Sequence, residues 1–217
     1  MPIIKGAVTF ARFRVEGFDK RETNWITKNL KVHPFEPIRK SSEDERSAGW
    51  VELENRDAIE FSTGAVHYGE YALFSYRVDV LKVPGGQLKE ELEKWIKTFE
   101  AEHTRPAKRG EKNDARAALK QQLRQKMTPK VKTFDVSWNL KTQELQVWAA
   151  SRKTVEEIES ALEKTFGIKV LALAPTTAAQ LLGIKEEDLT PTPALSWPDF
   201  EADAAAAATK GGEVADG

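Results

Sequence analysis

Basic residues are concentrated between positions 105 and 132, where only two acids, Glu111 and Asp114, accompany them. The basic residues are Arg105, Lys108, Arg109, Lys112, Arg116, Lys120, Arg124, Lys126, Lys130 and Lys132. Four of them, at 112, 116, 120 and 124, are spaced four apart, so a helix would place them on a stripe that drifts by about 40° per step. Like charges at this spacing weaken a helix. A helix that keeps four such charges despite this cost is expected to use them. The pattern therefore predicts sequence-independent phosphate binding, and a solvated helix face is the alternative.

Residues that could perform catalysis are sparse. His33, His67 and His103 lie far apart, and none of the zincin, hydrolase-elbow or phosphate-loop motifs occurs. A nuclease would need clustered carboxylates to bind a metal ion, and nothing in the sequence brings Asp79 near Glu70. We expect Asp79 to pair with Arg77 or another cation. The sequence thus predicts no enzyme, no catalytic residue, no metal site and no cofactor.

The overall charge hides this asymmetry. The 217 residues include 33 Lys and Arg and 34 Asp and Glu, for a formal net charge of −1. Residues 105–132 contribute +8 and residues 185–217 contribute −6, which leaves −3 for the rest. Such a separation is typical of an electrostatic binding surface beside an acidic tail. The near-neutral total is a cancellation and does not count against nucleic-acid binding.

Two further features of the composition bound the class of protein. The chain has no Cys, which excludes zinc fingers, thiol catalysis and disulfides and fits a reducing cytoplasm. No apolar run approaches the 18 residues or so that a membrane span needs. We therefore expect a cytoplasmic protein without a membrane segment.

Hydrophobic periodicity predicts an α+β protein. Alternating or apolar runs predict strands over 3–15, 49–53, 58–61, 71–83, 131–138, 144–150 and 168–173. Apolar stripes at helical spacing predict helices over 20–31, from 87 through a stripe that reaches Phe99 before the basic break at 105–110, and over 111–127, 153–166 and 176–182.

One arrangement recurs along the chain. A strand, a helix and a strand that closes near Pro occur at 3–38 and again at 144–175. This predicts two related halves with antiparallel sheets, joined by two long helices. The expected organisation is an N-terminal α+β unit at 1–84, the long helices with the basic stripe at 85–130, a second α+β unit at 131–184, and an acidic disordered tail at 185–217.

The tail contains two aromatic residues, Trp197 and Phe200, in acidic, Ala-rich surroundings. Such a segment would serve as a docking motif or would cover the basic groove, and the alternative is that both rings pack on the domain. If the acids compete with phosphates, deletion of residues 186–217 would strengthen DNA binding.

Four segments resemble, in order, the RdgC family of recombination-associated proteins. They are Phe35-Glu36-Pro37 with Ala48-Gly49-Trp50-Val51, the strand from Tyr76 to Pro84, the basic helix from Arg109 to Lys120 that closes at Met127-Thr128-Pro129, and the strand and helix start from Gln146 to Lys153. The resemblance covers roughly residues 1–182. Family members continue with a further α+β segment after the position of Ala174-Pro175, so this chain is expected to be a shortened member.

The resemblance implies a function. RdgC-like proteins bind double-stranded DNA without marked sequence preference, form a ring-shaped dimer with a basic central hole, and restrain RecA-driven strand exchange. We therefore expect a nucleoid-associated homodimer that occupies duplex DNA, with RecA as a further partner. Ring closure is open, given the shortened C-terminus. A protein-interaction module of DNA repair or phage origin that uses the acidic tail, and a metal-dependent exonuclease, are the alternatives.

Overall fold

Seven strands form one sheet in the part of the chain that the structure, a computed structural model, describes: residue 3, residues 9–18 and residues 24–189. The strands are β1 (Ala11–Glu16), β2 (Arg46–Val51), β3 (His67–Tyr68), β4 (Tyr71–Val80), β5 (Lys130–Asn139), β6 (Glu144–Val147) and β7 (Lys169–Ala172). The order across the sheet is β2-β4-β5-β6-β1-β7, and β3 pairs with β4.

The helices flank these strands in sequence. They are α1 (Trp25–Leu30), α2 (Thr63–Val66), α3 (Gly85–His103), α4 (Arg109–Lys126), α5 (Arg152–Phe166) and α6 (Pro175–Leu181), and a 3₁₀ turn follows at Glu186–Leu189. The predicted α+β class is confirmed. The long elements match their predicted ranges to within a few residues, because their apolar periods are long enough to distinguish strand from helix.

Two expectations differ from the structure. Residues 58–61 form a loop rather than a strand, and Phe61 has a left-handed backbone with φ of 46°. Strands of both predicted halves also lie in one sheet, because β4 of the first pairs along its whole length with β5 of the second. Parts of the predicted strand 3–15 and helix 20–31, and the tail from 190 onward, lie outside the described residues.

The core lies between one face of the sheet and α5. Ile158, Leu162 and Phe166 of α5 are buried, at the spacing that one helix face requires. Trp138 of β5 packs its ring edge against Phe166 at 5.5 Å between centroids. The indole of Trp50 donates a hydrogen bond of 2.8 Å to the hydroxyl of Thr165, which fixes α5 to β2.

The edge strand β2 is covered by the segment that follows α1. Phe35 N–H donates to Trp50 O at 2.9 Å, and Trp50 N–H donates to His33 O at 3.2 Å. A Cβ on Gly49 would lie 2.5 Å from Cα of Phe35, closer than real Cβ atoms approach. The close approach therefore requires glycine at this position.

Helices α3 and α4 pack against each other through their apolar stripes. Leu88 of α3 and Ala115 of α4 are buried, whereas Leu92, Trp95 and Leu119 are partly exposed. Helix α3 ends at Thr104, whose left-handed backbone (φ 54°) lets its N–H donate to Glu100 O at 3.0 Å. The two helices are thus long amphipathic elements with wide solvent-exposed faces.

The chain divides into two compact units, Met1–Leu171 and Ala172–Gly217. The described part of the second unit contains α6, in which Ala178 N–H donates to Ala174 O at 2.8 Å, and the 3₁₀ turn. Among the described residues, no helix combines the length and apolar character that a membrane crossing demands.

Candidate nucleic-acid interface

Helix α4 begins at a three-residue electrostatic cluster. The Glu111 carboxylate accepts the backbone N–H of Lys108 at 2.7 Å, which caps the helix. The same carboxylate accepts two hydrogen bonds from the Arg105 guanidinium, at 2.6 and 2.9 Å. The Arg105 bonds and then the Lys108 N–H lower the pKa of Glu111 to about 2. Arg105 is exposed. Its charge is nevertheless already neutralised by Glu111 of its own chain.

The middle of α4 carries cations without acidic partners. Arg116 is exposed and Lys112 is partly exposed, and among the described residues neither forms an ion pair. Arg116 lies at a cavity of about 280 Å³, which Leu88, Lys89 and Leu92 of α3 also line. Lys89, which pairs with Glu93 at 3.9 Å, adds a cation beside Arg116 that a stripe confined to one helix does not include.

Further along α4, Lys120 of the basic stripe contacts the loop before β2. The Lys120 ammonium lies 3.2 Å from the Glu45 carboxylate, and both side chains remain substantially exposed. A surface pair of this kind contributes little to stability. It nevertheless lowers the local positive potential at Lys120.

Arg124 is 2% exposed, so the expectation that it presents its charge to solvent is wrong. Its guanidinium donates to the carbonyl oxygens of Lys40 at 3.1 Å, of Leu81 at 3.5 Å, and of Asp44. The physical reason is the drift of the stripe, because three steps of about 40° turn Arg124 by about 120° away from Lys112. Arg124 therefore attaches α4 to the loop before β2.

The remaining predicted cations lie at the two ends of α4. Lys108 and Arg109 at the start, Lys126 at the end, and Lys130 and Lys132 on β5 are exposed and form no ion pair within the described structure. Strand register also places two cations near Lys130 and Lys132 that lie outside the predicted basic segment. Arg46 on β2 and Lys130 on β5 both flank Val80 of β4 in register, and Lys82 lies two residues after that strand ends.

The geometry divides the ten predicted residues by availability. Arg124 is buried, and Arg105 and Lys120 are paired with acids. The available cations on or directly beside α4 are Lys108, Arg109, Lys112, Arg116 and Lys126. Exposed ammonium and guanidinium groups on a rigid helix bind phosphate oxygens through charge-assisted hydrogen bonds.

The carboxylates considered for catalysis are engaged elsewhere. Arg77 donates to both oxygens of Asp79 at 2.8 and 2.9 Å, which confirms the expected pairing. Glu70 pairs with Lys141 at 3.1 Å. Within the described ranges, no three His, Asp or Glu residues are grouped so that they could bind a metal ion.

The fold and this surface define an α+β protein in which a basic helix, α4, packs on α3 beside an antiparallel sheet. Residues 10–182 match the model of the family described as RdgC, putative exonuclease. Because the match spans most of the chain, the protein belongs to the RdgC family. No curated protein matches the sequence.

Proposed function

We propose that this protein binds double-stranded DNA without sequence specificity, through phosphate contacts from the available cations of α4. The observation that carries the proposal is the set of Arg109, Lys112 and Arg116 on α4, none of which forms an ion pair within the described structure. Lys108 adds a fourth exposed cation, next to the Glu111 carboxylate. Membership of the RdgC family, a recombination-associated family, supports the same function.

The proposed mechanism is occupancy. A homodimer would cover duplex DNA and limit the access of RecA filaments, and so modulate homologous recombination in the nucleoid. No base-reading pattern is required, because phosphate contacts position a protein on DNA without reading its sequence. The dimer is tested by measuring the molar mass in solution, and the modulation by RecA-catalysed strand exchange with increasing amounts of the protein.

The central test is the salt dependence of DNA binding. We expect Lys112→Glu/Arg116→Glu to weaken duplex binding and to reduce the slope of log affinity against log salt by about 1.8, the value for two lost phosphate contacts. Fluorescence anisotropy with a labelled duplex at several salt concentrations measures both.

The matched control is Lys97→Glu/Lys153→Glu on α3 and α5, which changes the net charge equally at two exposed positions that form no ion pair within the described structure. This control should retain most of the affinity. An affinity that is unchanged in the α4 double variant, or equally reduced in both, would refute the assignment to α4.

The proposal contains no catalytic step, although the family description includes a putative exonuclease. It is supported by Asp79, whose two carboxylate oxygens are both occupied by Arg77. Degradation of linear DNA in Mg²⁺, abolished by Asp79→Asn in a folded protein, would establish the enzymatic alternative instead.

A further inference from the structure

Two adjoining cavities lie where β4 and β5 reach the helices, and they share Val80 and Lys130. The first has about 320 Å³ and an apolar floor that includes Val78 and Phe134. The second has about 330 Å³ and includes Val83 and Met127. We call the pair the β4–β5 groove.

Strand register explains why the groove is both apolar and basic. Residues directly opposite in an antiparallel pair point to the same face. Val80 therefore lies between Arg46 of β2 and Lys130 of β5, and Val78 lies beside Lys132. Val80 remains 36% exposed, as one of the larger apolar side chains left open to solvent.

The charges that line the groove are almost all positive. Arg46, Lys82, Lys130 and Lys132 contribute cations, and Glu157 of α5 contributes the one acid among the lining residues. Glu157 already accepts hydrogen bonds from Arg46 and from the Tyr76 hydroxyl, the latter at 3.2 Å. Lys82, Lys130 and Lys132 form no ion pair within the described structure.

We infer that the β4–β5 groove binds an acidic peptide segment of a partner protein, with one apolar anchor in each cavity and its carboxylates against Lys130 and Lys132. Apolar sockets with charged rims are the usual anatomy of a peptide or protein interface. Duplex DNA presents phosphates on its outer surface. It would therefore insert no apolar group into either cavity. The groove thus acts separately from the α4 surface.

Anisotropy of two fluorescein-labelled peptides tests the inference with the full chain. One has the sequence Glu-Asp-Trp-Glu-Asp-Leu-Asp-Glu, and the other replaces Trp and Leu by Ser. We expect the Ser peptide to bind at least about tenfold more weakly. A tenfold change corresponds to about 1.4 kcal/mol, which is less than the burial of two large apolar side chains contributes. Lys130→Gln/Lys132→Gln and Val80→Ser should each weaken binding of the first peptide.

Lys112→Gln/Arg116→Gln on α4 is the matched control, and it should leave peptide binding unchanged while it weakens duplex binding. Thermal unfolding verifies that each variant is folded, and the comparison of peptides needs no variant at all. Equal binding of the two peptides, or no loss in either groove variant, would overturn the inference. Displacement of the peptide by duplex DNA, with both activities lost in the same groove variants, would instead make the groove part of the DNA surface.

Discussion

Individual residues with the same charge have opposite roles in this molecule. Arg116 and Arg124 are two steps apart on one helix, and both belong to the basic stripe that the sequence predicts. Arg116 is exposed, whereas Arg124 is enclosed by carbonyl groups of residues that lie 43 to 84 positions earlier in the chain. A stripe read from one helix cannot reveal which of its members another segment will cover.

A matched pair of substitutions separates these roles. We expect Arg124→Met to lower the free energy of unfolding by about 2–4 kcal/mol, because three buried carbonyl groups lose a charged donor. Arg116→Met should leave stability nearly unchanged and weaken duplex binding. Urea unfolding and anisotropy measure the two quantities. Similar stability of the two variants would contradict the structural role of Arg124.

At the scale of elements, long periodic segments could be predicted from the sequence and pairing between distant segments could not. The ten-residue strands β4 and β5 and the helices α3 to α5 were predicted because each repeats its pattern several times. The single sheet depends on pairing of β4 with β5, which are separated by both long helices. The same limit concealed the partner of Lys120, Glu45, which lies 75 residues away.

The start of α4 gives a prediction about pH. The pKa of Glu111 falls from 4.5 to about 2 on folding, chiefly through the hydrogen bonds from Arg105. A lowered pKa means that the folded state favours the ionised carboxylate. Its contribution to stability is therefore complete above about pH 5 and is lost as the pH falls from 4.5 towards 2.

Glu111→Gln should remove this contribution. We expect the difference in unfolding temperature between wild type and the variant to be largest at neutral pH and to shrink towards zero near pH 2. Asp114→Asn is the control, because Asp114 is also exposed near the start of α4 and forms no ion pair with the described residues. A difference that stays constant between pH 7 and pH 2 would argue against the cluster at the start of α4.

For the whole molecule, the distribution of charge matters more than its sum. The net charge of −1 combines basic residues around α4 with a C-terminal sequence in which eight acids oppose one Lys over residues 186–217. Exposed charges act on one another over a distance of about 10 Å at 0.1 M salt and over longer distances in dilute salt. We therefore expect the acids to reduce the attraction of the protein for a polyanion.

Removal of residues 186–217 should accordingly strengthen duplex binding, and the gain should be larger at low salt than at high salt. Anisotropy with a labelled duplex over a range of salt concentrations measures both effects. A full-length variant in which the eight acids are replaced by Asn and Gln controls for chain length and should show the same gain. If the shortened chain binds more tightly by an amount that salt does not change, the acids do not act through their charge. If its affinity equals that of the full chain at low salt, the basic surface of α4 is insensitive to the acidic sequence.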